Sequence, residues 1–384
     1  MLTRWRVWSR RRWYAAEARL DIVRTIGLRR TLRRRRAGKR HFEALGGKTR
    51  LAVEQMWREA ADELGAELRA LSPTLTEFRL GSATARVSHQ RTPFADPVST
   101  ELADDKPLAY RLLADAGLPV PARVVIDARD RASAAAFAAQ VDPPLLVKPV
   151  RGLGGQGVVG EIHTIAQLER ALVHAGRIYP DVLIERQAHG DSYRILVLDG
   201  VVLDVLRRPR PTVTGDGTST IEELLFSEYG RRIAAAGPAG LKPFSIDLDC
   251  LFTLEQQGLA LDSIVPAGEP VVIKTATNYN GPDQSETVIG TAPESLLQPA
   301  RQAAAILGVR LGGVDIVTAD PTQPLEETGG VVLEVNAVPG LLHHYNVAGG
   351  DRATRIAIPI LQTLLGVPHD ARQGGTDHAS VPAS

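Results

Sequence analysis

One cysteine, Cys250, stands in 384 residues. A lone cysteine excludes an internal disulfide framework and fits a reducing, cytoplasmic compartment. No local pattern marks it as an activated thiol, so it reads as a small buried side chain rather than a nucleophile. No apolar run is long enough to span a bilayer, and no secretory apolar segment is evident. A Walker A loop is absent, as is a GxGxxG motif opening a helix, so two common phosphate-binding signatures are excluded. No nucleic-acid-binding fold motif is found either.

What is present is a chain with 44% hydrophobic residues, 35 glycines and 25 prolines. That composition supports a sizeable core in two or three subdomains with many short connections. The net charge of +1 hides an asymmetry: residues 1–40 carry fifteen Lys and Arg against Glu17 and Asp21, leaving 30 basic against 42 acidic residues elsewhere. The basic segment, 1–46, is expected to be an arm. A solvated arm, a subunit contact or extra residues from an early start codon is one reading, and an anionic membrane surface or nucleic acid is the other.

Residues 47–103 form an N-terminal region with a helix expected over 49–70 and a hairpin, Leu75–Leu80 and Ala83–Ser88, around Gly81-Ser82. In DDKPLAYRLLADAGLPVP, Asp104 or Asp105 can cap a helix, Pro107 fits its first turn and Gly117 ends it. Lys106 then sits at a helix N-terminus, where the dipole disfavours a cation. A nearby bound anion is one explanation and an ordinary surface lysine the other. LLVKP (145–149) reads as a strand ending in Lys148, followed by the glycine-rich RGLGGQGV. Consecutive N–H groups at Gly154, Gly155, Gln156 and Gly157 can cradle phosphate oxygens, though such loops also occur as plain hairpins.

A helix follows at 165–176, then the strand VLIE ending at Glu185 and the polar link Arg186-Gln187-Ala188. Backbone groups there could meet a purine. Two alternating strands surround Asp199-Gly200, a hairpin signal that places Arg194 and Arg208 on strands. Arginine there suits a two-pronged grip on carboxylate or phosphate. Asn278 falls in a polar loop, NYNGPDQSET, near a substrate or on a plain surface turn. LGGVDIV puts Asp315 in mid-strand, where a lone carboxylate is costly unless paired or metal-bound. GVVLEVNAVPG reads as a second buried strand with Glu334 and Asn336 on one face. A carboxylate and an amide oxygen side by side are hard-cation ligands suited to Mg²⁺ rather than zinc. Residues 351–365 are expected to close the chain with a helix, and 367–384 to be disordered.

Lys106, Lys148, the glycine loop, Glu185, Asp315, Glu334 and Asn336, in this order and spacing, resemble the ATP-grasp superfamily. The likeness is greatest to the ATP-grasp domain of cyanophycin synthetases and the related domain of bifunctional glutathione synthetases. It rests on DKPLAYRLLADAGLPVP, LLVKPVRGLGGQGV, RPRPTVTGDGTSTIEEL, TLEQQGLALDS, LGGVDIVTAD and EVNAVPGLLHH, and covers roughly residues 104–365. A second, Mur-ligase-like ATP domain found in complete cyanophycin synthetases does not occur in this sequence.

The resemblance implies an α+β ATP-grasp fold at 104–366, with subdomains at 104–185 and 186–366 gripping ATP, behind an N-terminal α/β region. It implies an ATP-dependent carboxylate–amine ligase working through an acylphosphate. Lys106, Lys148 and the glycine loop would bind phosphates, and Glu185, Arg186 and Ala188 the adenine. Asp191 and Ser192 would lie near the ribose. Asp315, Glu334 and Asn336 would hold Mg²⁺, as two ions, with Mn²⁺ as a substitute. Arg194 and Arg208 would face the reacting group, and Asn278 and His344 the substrate. Small amino-acid or peptide substrates and a homodimer or tetramer are implied as partners. Three positions depart from the family: Gln156 replaces Lys or Arg, Ser192 replaces Asp or Glu, and Arg210 replaces a proline. A phosphotransferase, a ligase of a non-amino-acid acid and a non-catalytic ATP-binding protein remain the rival readings.

Overall fold

The structure, a computed structural model, describes residues 18–152, 154–234, 246–277, 284–350 and 353–367. Two antiparallel sheets organise it. The smaller has the order β4-β7-β5-β6, built from β4 (Arg123–Asp127), β5 (Leu145–Pro149), β6 (Val159–Ile162) and β7 (Asp181–Arg186). The larger has the order β12-β9-β8-β13-β14, from β8 (Asp191–Leu198), β9 (Val201–Arg208), β12 (Glu286–Thr287), β13 (Leu311–Thr318) and β14 (Val331–Asn336). The expected hairpin at Asp199-Gly200 joins β8 to β9, and the β13 and β14 strands fall where the apolar runs placed them.

Strand alternation sorts the large sheet into two faces. Ile195, Val197, Val314 and Ile316 pack under α4 (Lys106–Asp115) and α9 (Glu294–Ile306). On the opposite face Leu196, Leu198 and Leu311 join Leu341, Leu342 and α11 (Ala357–Leu365). Ser192, Arg194, Asp315 and Asn336 continue that second face beyond the apolar core, and it opens into a cavity. The small sheet buries Val147, Val159 and Ile184 beneath α6 (Ile165–Gly176) and α8 (Leu248–Gln256). At about 25 cal/mol per Å² of apolar surface, these three cores are the main source of stability.

The N-terminal part differs from expectation in two places. Residues 18–26 are helical, and Ala18, Ile22 and Ile26 are buried. Ile22 and Ile26 pack among Ile221, Cys250, Leu254 and Ile273. Asp21 accepts from Arg170 Nε on α6 at 3.0 Å and lies 3.1 Å from His174 Nε2. Apolar periodicity within the basic segment therefore outweighs its charge here. The next helix, α2 (Leu28–Leu64), runs through the expected boundary at residue 46 and stops at Gly65, whose φ of 65° is left-handed. That cap ends the helix before residue 70. Glu67–Ala70 instead forms β1, paired with β2 (Leu75–Leu80), which pairs with β3 (Ala83–Ser88).

Candidate active site

The large sheet's charges are set by register. Asp315 on β13 lies opposite Arg194 on β8 and Glu334 on β14, while Gly313 lies opposite Asn336. Arg194 grips Asp315 with Nε on one oxygen and Nη2 on the other, both at 2.6 Å. Arg208 Nη2 adds a third contact to Asp315 at 2.6 Å and donates to Ser192 Oγ at 3.2 Å. Burial would raise the Asp315 carboxyl, but Arg194 and Arg208 outweigh it and hold it below the usual carboxylate range. Arg194, forked on both oxygens, is pushed up against the effect of burial. Arg208 holds only one oxygen, and burial draws it down to about 10. Its Nε and Nη1 are buried without a partner.

The small sheet brings its own ion pair. Lys148 Nζ lies 2.9 Å from Glu185 Oε1 on the neighbouring strand and donates to Tyr110 Oη at 2.8 Å. Tyr110 Oη donates in turn to the Leu333 carbonyl at 2.7 Å, so α4 ties the two sheets together. Burial, then Glu185 and Glu334, push the Tyr110 phenol well above its ordinary value, which keeps it a neutral donor. Lys106, at the start of α4, pairs with Glu334 Oε1 at 2.9 Å. Asp105 caps that helix by accepting from Leu108 N at 3.1 Å.

These groups line one cavity of 320 Å³ between the sheets. Lys106, Lys148, Gly154, Gly155, Gln156, Glu185, Ala188, Ser192, Arg194, Arg208, Asp315, Glu334 and Asn336 all reach it. Gly154, Gly155 and Gly157 have φ of 64°, 76° and 75°, a region side-chain-bearing residues rarely adopt. Gly157 turns away from the cavity toward Ile178.

Several expected residues are placed elsewhere. Arg186 is exposed at the end of β7 and does not line the cavity. Asp191 faces outward, held by Arg207 at 2.7 Å, so it is not at hand for a ribose. Ser192, by contrast, stays on the cavity wall, its Oγ accepting from Arg208 Nη2. His344 is fully buried behind the wall. Its Nδ1 lies 2.7 Å from Asp204 Oδ2, and Nε2 has no partner. Its neighbour His343 lines the cavity instead. Asn278 lies outside the described residues.

Tyr110, His189 and the stretch Thr275–Thr277 also line or brace the cavity without having been singled out from sequence. Tyr110 carried a signal, since it stands four residues after Lys106 and shares its helix face. Gln187 Nε2 donates to Glu161 Oε1 at 3.0 Å, a contact no local pattern reveals.

The donor chemistry fits a hard divalent cation. Asp315, Glu334 and Asn336 present two carboxylates and one amide to the same space. Asn336 spends its nitrogen on Gly313 O at 3.2 Å, which leaves its oxygen for a ligand. Among the described residues no group of three or more His, Cys, Asp or Glu side chains is placed to hold a metal ion. A cation here would therefore depend on the Asn336 oxygen and displace the lysine and arginines now paired with the carboxylates.

No family model matches the chain. It is 33% identical over 279 residues to cyanophycin synthetase of Geminocystis herdmanii, covering 72% of this chain and 32% of that protein. It is 30% identical over 270 residues to the glutathione biosynthesis bifunctional protein GshAB of Streptococcus thermophilus, covering 68% of this chain and 35% of that one. The chain thus spans about a third of the length of the curated relatives it matches. A bifunctional glutathione synthetase from Pasteurella multocida shares the fold at a TM-score of 0.54 and 22% identity, covering 82% of this chain and 44% of that one. Two antiparallel sheets enclosing a lysine- and glycine-lined cleft define an α+β protein of the grasp type. The chain belongs to the ATP-grasp ligase superfamily.

Proposed function

We propose that the chain is an ATP-dependent carboxylate–amine ligase that joins an amino acid or peptide to an amine, releasing ADP and phosphate. The observation that carries this is the shared cavity. One wall bears Asp315, Glu334, Asn336, Arg194 and Arg208, and the other bears Lys148 and the glycine loop.

In this reading Lys106, Lys148 and the amides of 154–156 hold the phosphates. Glu185 and the backbone to Ala188 hold the base. Asp315, Glu334 and Asn336 hold Mg²⁺, as two ions, or Mn²⁺ in its place. The ions supply charge neutralisation for the transferred phosphoryl group. Arg194 and Arg208 then turn from Asp315 to the acyl group, stabilising negative charge as the carboxylate is phosphorylated and again as the amine displaces phosphate. The glycine loop closes over the reacting atoms and keeps water from the acylphosphate. A homodimer or tetramer in the cytoplasm belongs to the same proposal, and sedimentation tests the assembly. No described helix is long and apolar enough to cross a membrane.

The test is incubation with ATP, Mg²⁺ and pooled amino acids, following phosphate release and product mass. A new amide mass with stoichiometric phosphate supports the reading. Measurable ATP binding without phosphate release from any acid and amine pool overturns it.

A further inference from the structure

Every carboxylate on the cavity wall among the described residues already has a cation. Glu185 has Lys148, Glu334 has Lys106, and Asp315 has both Arg194 and Arg208. One further guanidinium reaches the same cavity, that of Arg210, two residues beyond the end of β9. Its mooring lies behind it. Arg210 Nη2 contacts Glu161 Oε1 at 2.8 Å, and its Nε approaches the Lys274 carbonyl at 3.5 Å.

Glu161 is itself fixed. It is buried, its Oε1 also accepts from Gln187 Nε2 at 3.0 Å, and its N–H donates to Gln187 Oε1 at 2.8 Å. Its φ of 53° is unusual for a residue with a side chain. Gly160 beside it has no room for a Cβ, which would lie 2.5 Å from Thr275 Oγ1. A strained, crowded support of this kind orients an arginine rather than merely neutralising it. The Arg210 side chain stays 34% exposed, so the N–H groups not spent on Glu161 and Lys274 are accessible from the cavity. The wall thus offers an aimed donor to an anion, and no unpaired carboxylate to a cation.

We infer that Arg210 is a specificity-determining residue that grips a second anionic group on the acid substrate, so that dicarboxylic acids are taken in preference to their monocarboxylic counterparts. This rests on the ligase reading for the identity of the reacting carboxylate, while the binding preference can be measured without turnover. A carboxylate held by an oriented guanidinium in a sheltered site discriminates by about tenfold or more against its neutral isostere.

The test uses matched pairs that differ by one anion at constant size, succinate against succinamate and glutamate against glutamine. Binding is read by calorimetry with Mg²⁺ and a non-hydrolysable ATP analogue, and turnover by phosphate release. Wild type is expected to favour the dicarboxylate in each pair by about tenfold or more. Arg210→Gln should bring the ratio close to one through KM rather than kcat, and Arg210→Glu should invert it. Glu161→Gln, which removes only the rear support, should lower the ratio partway. Equal binding within each pair in wild type overturns the inference. So does a ratio unchanged in Arg210→Gln with affinity for both members falling together, since that marks a strut between the sheets. Phosphate release from all acids without preference overturns the Arg210 assignment and leaves the ligase reading standing. Selective dicarboxylate binding without any phosphate release supports the assignment and counts against the ligase reading.

Discussion

The two walls of the cavity meet the same need by opposite means. The large sheet holds Arg194, Arg208 and Asp315 on paired strands, buried and locked in cross-strand contacts of 2.6 Å. The facing wall carries Lys148 at a strand end and then a loop whose glycines take left-handed backbone conformations. Rigid register suits groups that must meet charge at fixed distances. Bare backbone suits close approach to a ligand, at the cost of the conformational entropy that ordering glycine requires. One wall is therefore sensitive to charge and the other to the presence of a Cβ.

The comparison breaks hardest at Glu334. Its side chain is a third exposed and has Lys106 as its partner, so Glu334→Ala should leave the melting temperature within a few degrees of wild type. Turnover should fall by about 10² to 10³ or more, as for loss of a transition-state charge contact. Full phosphate release by that variant would remove the rigid wall from the chemistry. Asp315→Asn should act on the fold instead. It leaves two buried guanidinium groups without their anion, a loss on the order of 3–5 kcal/mol in a denaturant titration. A change below about 1 kcal/mol would show that charge register does not hold this wall together.

On the glycine side, Gly157→Ala places a Cβ at positive φ and 3.0 Å from Ile178 Cγ1. About 1 kcal/mol of stability should be lost, together with affinity for an ATP analogue measured by calorimetry. Unchanged affinity would mean that the loop's backbone shape is not what the ligand reads. The smallest effect is expected from His344→Gln. Burial, with Arg194 and Arg208, draws His344 below its ordinary 6.5 despite the pull of Asp204. The native state then keeps it neutral, so its contribution is complete above about pH 6.5 and is lost as pH falls through the folded value. The variant should show a shallower loss of melting temperature on the acid side. His174, also drawn down by burial, keeps some slope in both proteins. An identical slope in the two would assign the acid loss elsewhere.

Legibility from sequence followed the same divide. Strands that alternate, such as β8 and β9, announced both their faces and their charges, and the hairpin at Asp199-Gly200 fixed their pairing. The glycine loop was visible as composition. What escaped detection depends on contacts distant in the chain. A register shift at Asp315/Ile316 accommodates an extra residue on β14, so Val332 and Val335 both reach the core although they stand three apart. Strict alternation cannot anticipate that irregularity. Asp191 is diverted by Arg207, a partner sixteen residues away. His344 falls behind the wall because Asp204, Thr287 and Thr354 gather there, and the turn at 341–345 brings His343 forward. Residues 18–26 read as an arm because their charges are prominent and their buried face is three residues wide.

The passage from β7 to β8 takes only residues 187–190. Four residues reach about 14 Å at full stretch. At the end of that passage Gly190 lies so close to the large sheet that a Cβ would fall 2.0 Å from the Thr318 carbonyl. The two halves are thus joined along the chain by a four-residue link whose last position leaves no space for a side chain.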